Sequence, residues 1–191
     1  MPQSDQPYEM FDLVNENDKV IGVVSREEVE TKLLELDGMV RAVNCFMVNS
    51  AGKIWVPPRT SHKSIAPNGL DFSVGEHVKA GESYAQAIVR GFDEELHMLV
   101  DFSEFTCVGI VNLRQHGLLP YLETVFVFYT DAVPNYNKND FISYEWLLPV
   151  DFVSRIKNGE VAKRNLLPAL EMYNHKIKYR SMSDEPNTTG E

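Results

Sequence analysis

Apolar residues recur in short extended runs over some parts of the chain and at helical spacing over others, so strands and helices are both expected. Met10–Val14 and Val20–Val24 flank the polar turn Asn15–Asp18 and read as a strand pair within residues 9–26. Ser25 then caps a helix, Glu28 stands at the capping-box position, and Val29, Leu33, Leu34 and Leu36 form its apolar stripe up to Gly38. Arg41–Val48 and Lys53–Val56 enclose the turn residues Asn49–Gly52, which predicts a hairpin. Residues 57–70 hold three prolines and a glycine and read as a loop before the apolar Phe72-Ser73-Val74.

The clearest helix follows. Ser83 and Gln86 make a second capping box, and Ala85, Ile88, Phe92, Leu96 and Leu99 recur along one face. Thr106–Val111 and Thr124–Tyr129 read as strands, and the second is apolar enough to lie centrally in a sheet. Residues 147–174 read as helical. The expected organisation is a flexible stretch over 1–8, one domain over 9–178 whose first part (9–40) is the strand pair and helix, and a disordered polar tail over 179–191.

A chain of 191 residues with 43% hydrophobic and 24% charged residues has the composition of one globular domain with extensions. The net charge of -10 is concentrated at the front, where residues 1–40 hold 10 acids and 3 bases. Such a flank reads as solvated surface, repels nucleic acid and anionic membrane, and leaves neither as an expected partner. No apolar run approaches the roughly 20 residues of a membrane span, and the first residues lack signal-peptide character, so a cytoplasmic location is the default. Cys45 and Cys107 are too few for a disulfide scaffold and are expected to be small core residues.

The chemistry concentrates in Gly75–Met98, GEHVKAGESYAQAIVRGFDEELHM. At about 100° per residue, Glu94 and Glu95 flank a polar face centred on Gly91, and Glu95 borders the apolar side formed by Phe92 and Leu96. Adjacent carboxylates there are costly unless a cation neutralises them, and a hard divalent ion such as Mg²⁺ would do so with Glu82 as a third donor. The alternative is an ordinary solvated helix face.

This stretch resembles the Nudix box, G-x5-E-x7-R-E-U-x-E-E-x-G-U with U apolar. Glu82 matches its first Glu, Arg90 its Arg, Phe92 its apolar position, and Glu94-Glu95 its paired acids. Three positions depart from it: Glu76 stands for the opening Gly, Gly91 for the Glu after the Arg, and His97 for the later Gly. The resemblance implies an α/β (α+β) fold, an α/β/α sandwich around a mixed central sheet. It also implies a loop-helix-loop unit that holds Mg²⁺ or Mn²⁺ for attack on a diphosphate linkage.

Over roughly residues 9–175 the chain is most similar to the isopentenyl-diphosphate isomerase-like branch of this superfamily, through FDLVNENDKVIGVVSREEV, RAVNCFMVNSAGKIWV, PPRTSHKS and SYEWLLPVDF. Gly75 stands where those isomerases carry their cysteine after the Ser-Val pair, so the resemblance implies hydrolase rather than isomerase chemistry. It makes Arg59 and Lys63 diphosphate-binding residues, Glu94, Glu95 and Glu123 catalytic, and Glu82, Glu94, Glu95 and Glu123 metal ligands. His77 aligns with an isomerase metal ligand and is read as having no metal role. The expected activity is metal-dependent cleavage of a diphosphate in a small organic or nucleoside diphosphate. A Nudix domain that binds a diphosphate without turnover, through the loss at Gly91, is the alternative, with isomerase chemistry behind it. Substrate identity and a homodimeric state are left open.

Overall fold

The computed structural model describes residues 8–35 and 37–183, and the side chains of 34 and 178–183 are outside that description. Leu34 and Leu36 of the first predicted stripe, and residues 1–7 and 184–191 of the predicted flexible ends, therefore lie outside the described side chains or residues.

Strands β1 (Met10–Val14) and β2 (Val20–Ser25) form the expected pair. Helix α1 (Val29–Glu35) buries Val29 and Leu33 against β1 and β3 (Met39–Val48). Ser25 is the last residue of β2, and its hydroxyl donates to the Glu28 carboxylate at 2.7 Å, so the predicted capping pair closes the turn ahead of α1. The front acids are not all solvated as expected: Asp12 and Asp18 both pair with Arg41, and Glu9 pairs with Arg26 and Lys79. The predicted hairpin forms between β3 and β4 (Ile54–Val56). Then follow β5 (Val74–His77), α2 (Tyr84–Leu96), β6 (Phe105–Asn112), β7 (Tyr121–Tyr129), β8 (Glu145–Leu147), α3 (Pro149–Lys157) and α4 (Leu166–Ser183).

The eight strands among the described residues make one mixed sheet. β7 runs parallel to β3 and antiparallel to β6, so the most apolar strand is internal, as its composition predicts. Along its other edge β3 pairs in turn with β1, β5 and β4. Alternation sends Val43, Cys45, Met47, Phe126 and Phe128 to the face covered by α2. Phe46, Val48, Val125 and Val127 go to the face covered by α3 and α4. The result is the α/β/α sandwich with a mixed sheet.

Three readings change. Residues 147–174 are not one helical stretch, because Gly159 at φ 93° ends α3 and α4 begins only at Leu166. α4 runs on to Ser183, into the segment expected to be a disordered tail. Cys45 is buried as expected, but Cys107 is exposed, because a bulge between Cys107 and Gly109 shifts the alternation of β6. No helix among the described residues is long and apolar enough to cross a membrane.

Candidate active site on helix α2 and the edge of β5

Both halves of the Ser83–Gln86 capping box are present at the start of α2, an arrangement that contributes about 1 kcal/mol. Ala87, Ile88, Phe92 and Leu96 are buried against the sheet. His97 adopts the left-handed conformation (φ 52°, ψ 39°) that ends the helix, which leaves Leu99 outside it and exposed rather than on the apolar stripe.

Arg90 is the hub of the acidic residues. Its Nε and Nη2 donate to the two oxygens of Glu82 at 2.9 and 3.0 Å, its Nη1 to Glu76 at 2.9 Å and Glu94 at 3.4 Å, and Nη2 also to the His77 carbonyl at 2.9 Å. Glu82 in addition accepts from the Lys79 backbone N–H at 2.9 Å. Against the desolvation of partial burial, these bonds hold Glu82 below the usual carboxylate range. Both of its oxygens are committed to this clamp, so Glu82 positions Arg90 and is poorly suited to the predicted role of metal donor.

Gly91 does not sit in the middle of an open polar face as the helical-wheel reading expects. It is buried, and a Cβ there would lie 2.7 Å from Val74 Cγ1 and 2.8 Å from Glu76 Cγ. The stem of Glu76 fills the space at Gly91 and delivers its carboxylate to Arg90 beside Glu94. Burial raises the Glu76 pKa despite the opposing Arg90. Along the chain Glu76 and Gly91 are two separate departures from the box, and a carboxylate gained at one and lost at the other is the signal that joins them.

Glu95 turns to the open edge of β5, where its Oε2 accepts from the Gly75 N–H at 3.2 Å. Its backbone carbonyl accepts from the Asn137 N–H at 2.7 Å, which ties the end of α2 to the loop after β7. Burial, together with Glu76, Asp71 and Asp140, pushes its carboxyl well above the usual range, and Lys163 opposes them.

Arg59 and Lys63 are not solvated loop cations. Arg59 pairs with Asp71 and donates to the Ile65 carbonyl at 2.8 Å, while Lys63 pairs with Asp140 at 2.5 Å. Both aspartates are buried, and both act electrostatically on Glu95. Lys163, which sequence reading missed because it lies between α3 and α4, joins them by pairing with Asp71 at 3.2 Å.

Glu123 is not brought together with the α2 acids. It shares the α4 face of the sheet with Val125 and Val127, and its Oε1 accepts from Asn165 Nδ2 at 2.7 Å. Burial above all lifts its pKa to about 7, with Asp71 adding and Asn165 and Lys163 opposing. The His77 ring packs between Phe11 and Tyr121, tilted to both, with centroids 5.0 and 5.3 Å away, and burial with Arg26, Lys163 and Arg90 nearby lowers its pKa to about 3.

Among the described residues, no three His, Cys, Asp or Glu side chains converge as a ready-made metal cage. The donor set nevertheless suits a hard divalent ion. Glu95 is a desolvated carboxylate beside Glu76 whose one hydrogen bond is from Gly75, and ions such as Mg²⁺ take one or two protein carboxylates and complete their shell with water and phosphate.

A Nudix-type loop-helix-loop laid on this sandwich defines the class, and the NUDIX domain family matches residues 38–170: the chain belongs to that family. An uncharacterized Nudix hydrolase of Nostoc sp. is 36% identical over 168 residues, covering 88% of this chain and 97% of its own. A Nudix hydrolase of Deinococcus radiodurans is 38% identical over 158 residues, covering 83% and 90%. A crystal structure from D. radiodurans superposes with a TM-score of 0.74 at 36% identity, over 85% of this chain and 98% of that one. Isopentenyl-diphosphate Delta-isomerase 1 of Photorhabdus laumondii is more distant, at 25% identity over 151 residues. The expected place nearest the isomerases thus yields to these hydrolases. The site agrees, since a Cβ at Gly75 would lie 2.9 Å from Asn44 Oδ1 and 3.4 Å from Lys163 Nζ, leaving little room for a cysteine.

Proposed function

We propose that this protein hydrolyses a diphosphate linkage in a small organic or nucleoside diphosphate with the help of Mg²⁺ or Mn²⁺. The observation that carries this reading is the half-buried Glu95 at the edge of β5, next to Glu76 and at the end of the Arg90 cluster, with the Gly75 N–H on its carboxylate. Glu95, with one carboxylate of the Glu76 and Glu94 pair, would hold the ion, which when bound supplies Lewis-acid polarisation of a phosphoryl oxygen and a more acidic water.

The chain's own residues do the rest. Arg90 keeps Glu76 and Glu94 side by side by hydrogen-bonding both, and Glu82 keeps Arg90 in place by gripping it through two oxygens. Arg59, Lys63 and Lys163 stand around Asp71 and Asp140 next to Glu95, where they offset the charge of a bound diphosphate. The raised pKa of Glu95 makes it the more proton-avid carboxylate at this edge. The relocated Glu76 supports hydrolysis over a binding-only domain, because the carboxylate missing at Gly91 is restored from β5.

The test is a panel of organic and nucleoside diphosphates incubated with Mg²⁺ or Mn²⁺, with monophosphate product and free phosphate both quantified. Metal-dependent release from at least one class is expected. Binding of a diphosphate without any release would favour the binding-only alternative.

A further inference from the structure

Glu82 grips Arg90 from the connection over residues 78–83, between β5 and α2, and that connection has little of its own to hold it. It closes through the Glu82 N–H on the Lys79 carbonyl and the Lys79 N–H on Glu82 Oε2, each at 2.9 Å. Gly81 takes φ 75°, and a Cβ there would meet nothing within 4 Å, so no packing covers the turn at that point. The anchors of residues 79–81 come from β1 and the residue before it. The Ala80 N–H donates to the Met10 carbonyl at 2.8 Å, and the Gly81 N–H to Asp12 Oδ2 at 3.1 Å. Lys79 forms a backbone bridge with Phe11, and its Nζ pairs with Glu9 at 3.2 Å.

Asp12 is itself held. It is 8% exposed, and Arg41 Nη1 stands 3.4 Å from the oxygen that takes the Gly81 N–H. A carboxylate that deep needs a cation and hydrogen bonds, and here it has both. The same guanidinium donates to Asp18 Oδ1 at 2.6 Å and to the Asp18 carbonyl at 2.8 Å, and it lies over the Tyr84 ring, 5.6 Å from the centroid. Tyr84, the first residue of α2, donates its hydroxyl to Asp18 Oδ2 at 3.0 Å. The strand pair thus holds the turn at Gly81 through Asp12 and the helix start through Asp18. One peptide bond beyond Gly81 stands Glu82, whose oxygens fix Arg90, and Arg90 aligns Glu76 with Glu94. Asp12 and Asp18 lie ahead of residues 38–170, so this support comes from outside the span that matches the family.

We propose that the strand pair is a brace for the metal-holding unit and that Asp12 and Asp18 are its positioning residues. Through Gly81 and Tyr84 they fix where Glu82 stands, and with it the Arg90 guanidinium and the carboxylates it aligns. Neither aspartate is a ligand in this arrangement. What the aligned carboxylates hold rests on the hydrolytic reading. If the strand pair served stability alone, any loosening of it would act alike. In a brace, the acceptor offered to Gly81 is what counts.

The experiment compares the wild-type chain with Asp12→Ala, Asp12→Asn, Tyr84→Phe and, as a control, Val24→Ala, which loosens the same strand pair from its buried side. Circular dichroism and thermal melting report folding. NMR reads hydrogen exchange at the Gly81 N–H and the Arg90 Nε–H, and electron paramagnetic resonance reads Mn²⁺ affinity. Asp12→Ala should speed both exchange rates about tenfold and weaken Mn²⁺ about fivefold, less than the roughly 10–100-fold typical of groups bonded directly to a ligand. Asp12→Asn, which keeps an oxygen for Gly81, should stay within about twofold of wild type, and Tyr84→Phe should shift all three readings about threefold in the direction of Asp12→Ala. Val24→Ala should melt earlier with all three unchanged. Unchanged readings in folded Asp12→Ala, or in Tyr84→Phe where Asp12→Ala does not fold, would overturn the brace, as would an equal change in Val24→Ala. Faster exchange at Gly81 with the Arg90 Nε–H unmoved, or with the Mn²⁺ affinity of a binding wild type unmoved, would overturn it too, because the turn would then move without the cluster. Faster exchange at both groups in Asp12→Ala, with no Mn²⁺ bound by wild type, would keep the brace and refute the hydrolytic reading instead.

Discussion

Glu76 occupies the space that Gly91 leaves beside the sheet: its Cγ lies 2.8 Å from where a Cβ on Gly91 would stand, and its carboxylate reaches Arg90 Nη1 at 2.9 Å. β5 and α2 thereby supply one carboxylate between them at a position that holds either side chain but not both. The absence of a Glu at 91 is thus compatible with an intact acidic cluster.

Restoring a Glu at 91 should therefore harm the protein. A helix-interior Gly replaced by another residue gains up to about 1 kcal/mol of propensity, but overpacking against Val74 and Glu76 costs about 1–3 kcal/mol. Urea denaturation of Gly91→Glu should show net destabilisation, with no gain in turnover. The exchange variant Glu76→Gly/Gly91→Glu should recover part of that loss, a coupling that a double-mutant cycle reads directly. Additive effects would mean that the two positions do not share one space.

Removing the loop cations should cost stability, the opposite of what exposed lysines and arginines do. Arg59 and Lys63 have side chains 13% and 11% exposed, against aspartates at 5% and 6%. Lys63→Ala leaves the buried Asp140 without its cation, at a cost of about 3 kcal/mol, and Arg59→Ala costs less because Lys163 still pairs with Asp71. The accompanying Asp71→Asn or Asp140→Asn should restore part of it. A shift of the urea midpoint below experimental error for both single variants would place the pairs at the surface in solution.

The elements were largely readable from local pattern. Capping residues and the Ile88–Phe92–Leu96 spacing located α2, and the apolar run in β7 located the centre of the sheet. The site was readable only as far as its residues lie on one element. Arg90, Glu82, Glu94 and Glu95 belong to a single loop and helix, and three of them meet. Glu76 against Gly91, Asp71 with Arg59 and Lys163, and Asn165 on Glu123 are contacts between elements set by strand register. Spacing along the chain carries no record of them. For the same reason, the carboxylate of Glu123 looked like a partner of Glu94 and Glu95 until the alternation of β7 put it on the other face.

Stability should fall as pH rises through neutrality because of Glu123. Its folded pKa of about 7 stands above the ordinary 4.5, so the folded state binds the proton more tightly. The contribution is intact below about pH 4.5 and is lost as pH climbs through about 7, to the extent of about 3 kcal/mol. Glu123→Gln keeps an acceptor for Asn165 and removes the titration. Urea midpoints at pH 5 and pH 8 should show the variant gaining on wild type at the higher pH. An unchanged difference would mean that Glu123 ionises as an ordinary carboxyl.

A hydrolytic site on α2 requires that its carboxylates hold a divalent ion through Glu95. Mn²⁺ titration followed by electron paramagnetic resonance, on folded wild type, Glu95→Gln and Glu82→Gln, measures this without reference to any substrate. Wild type should bind Mn²⁺, Glu95→Gln should bind it at least tenfold more weakly, and Glu82→Gln, which acts through Arg90, should lose less. Equal affinity in wild type and Glu95→Gln, or no Mn²⁺ bound by wild type, would contradict it.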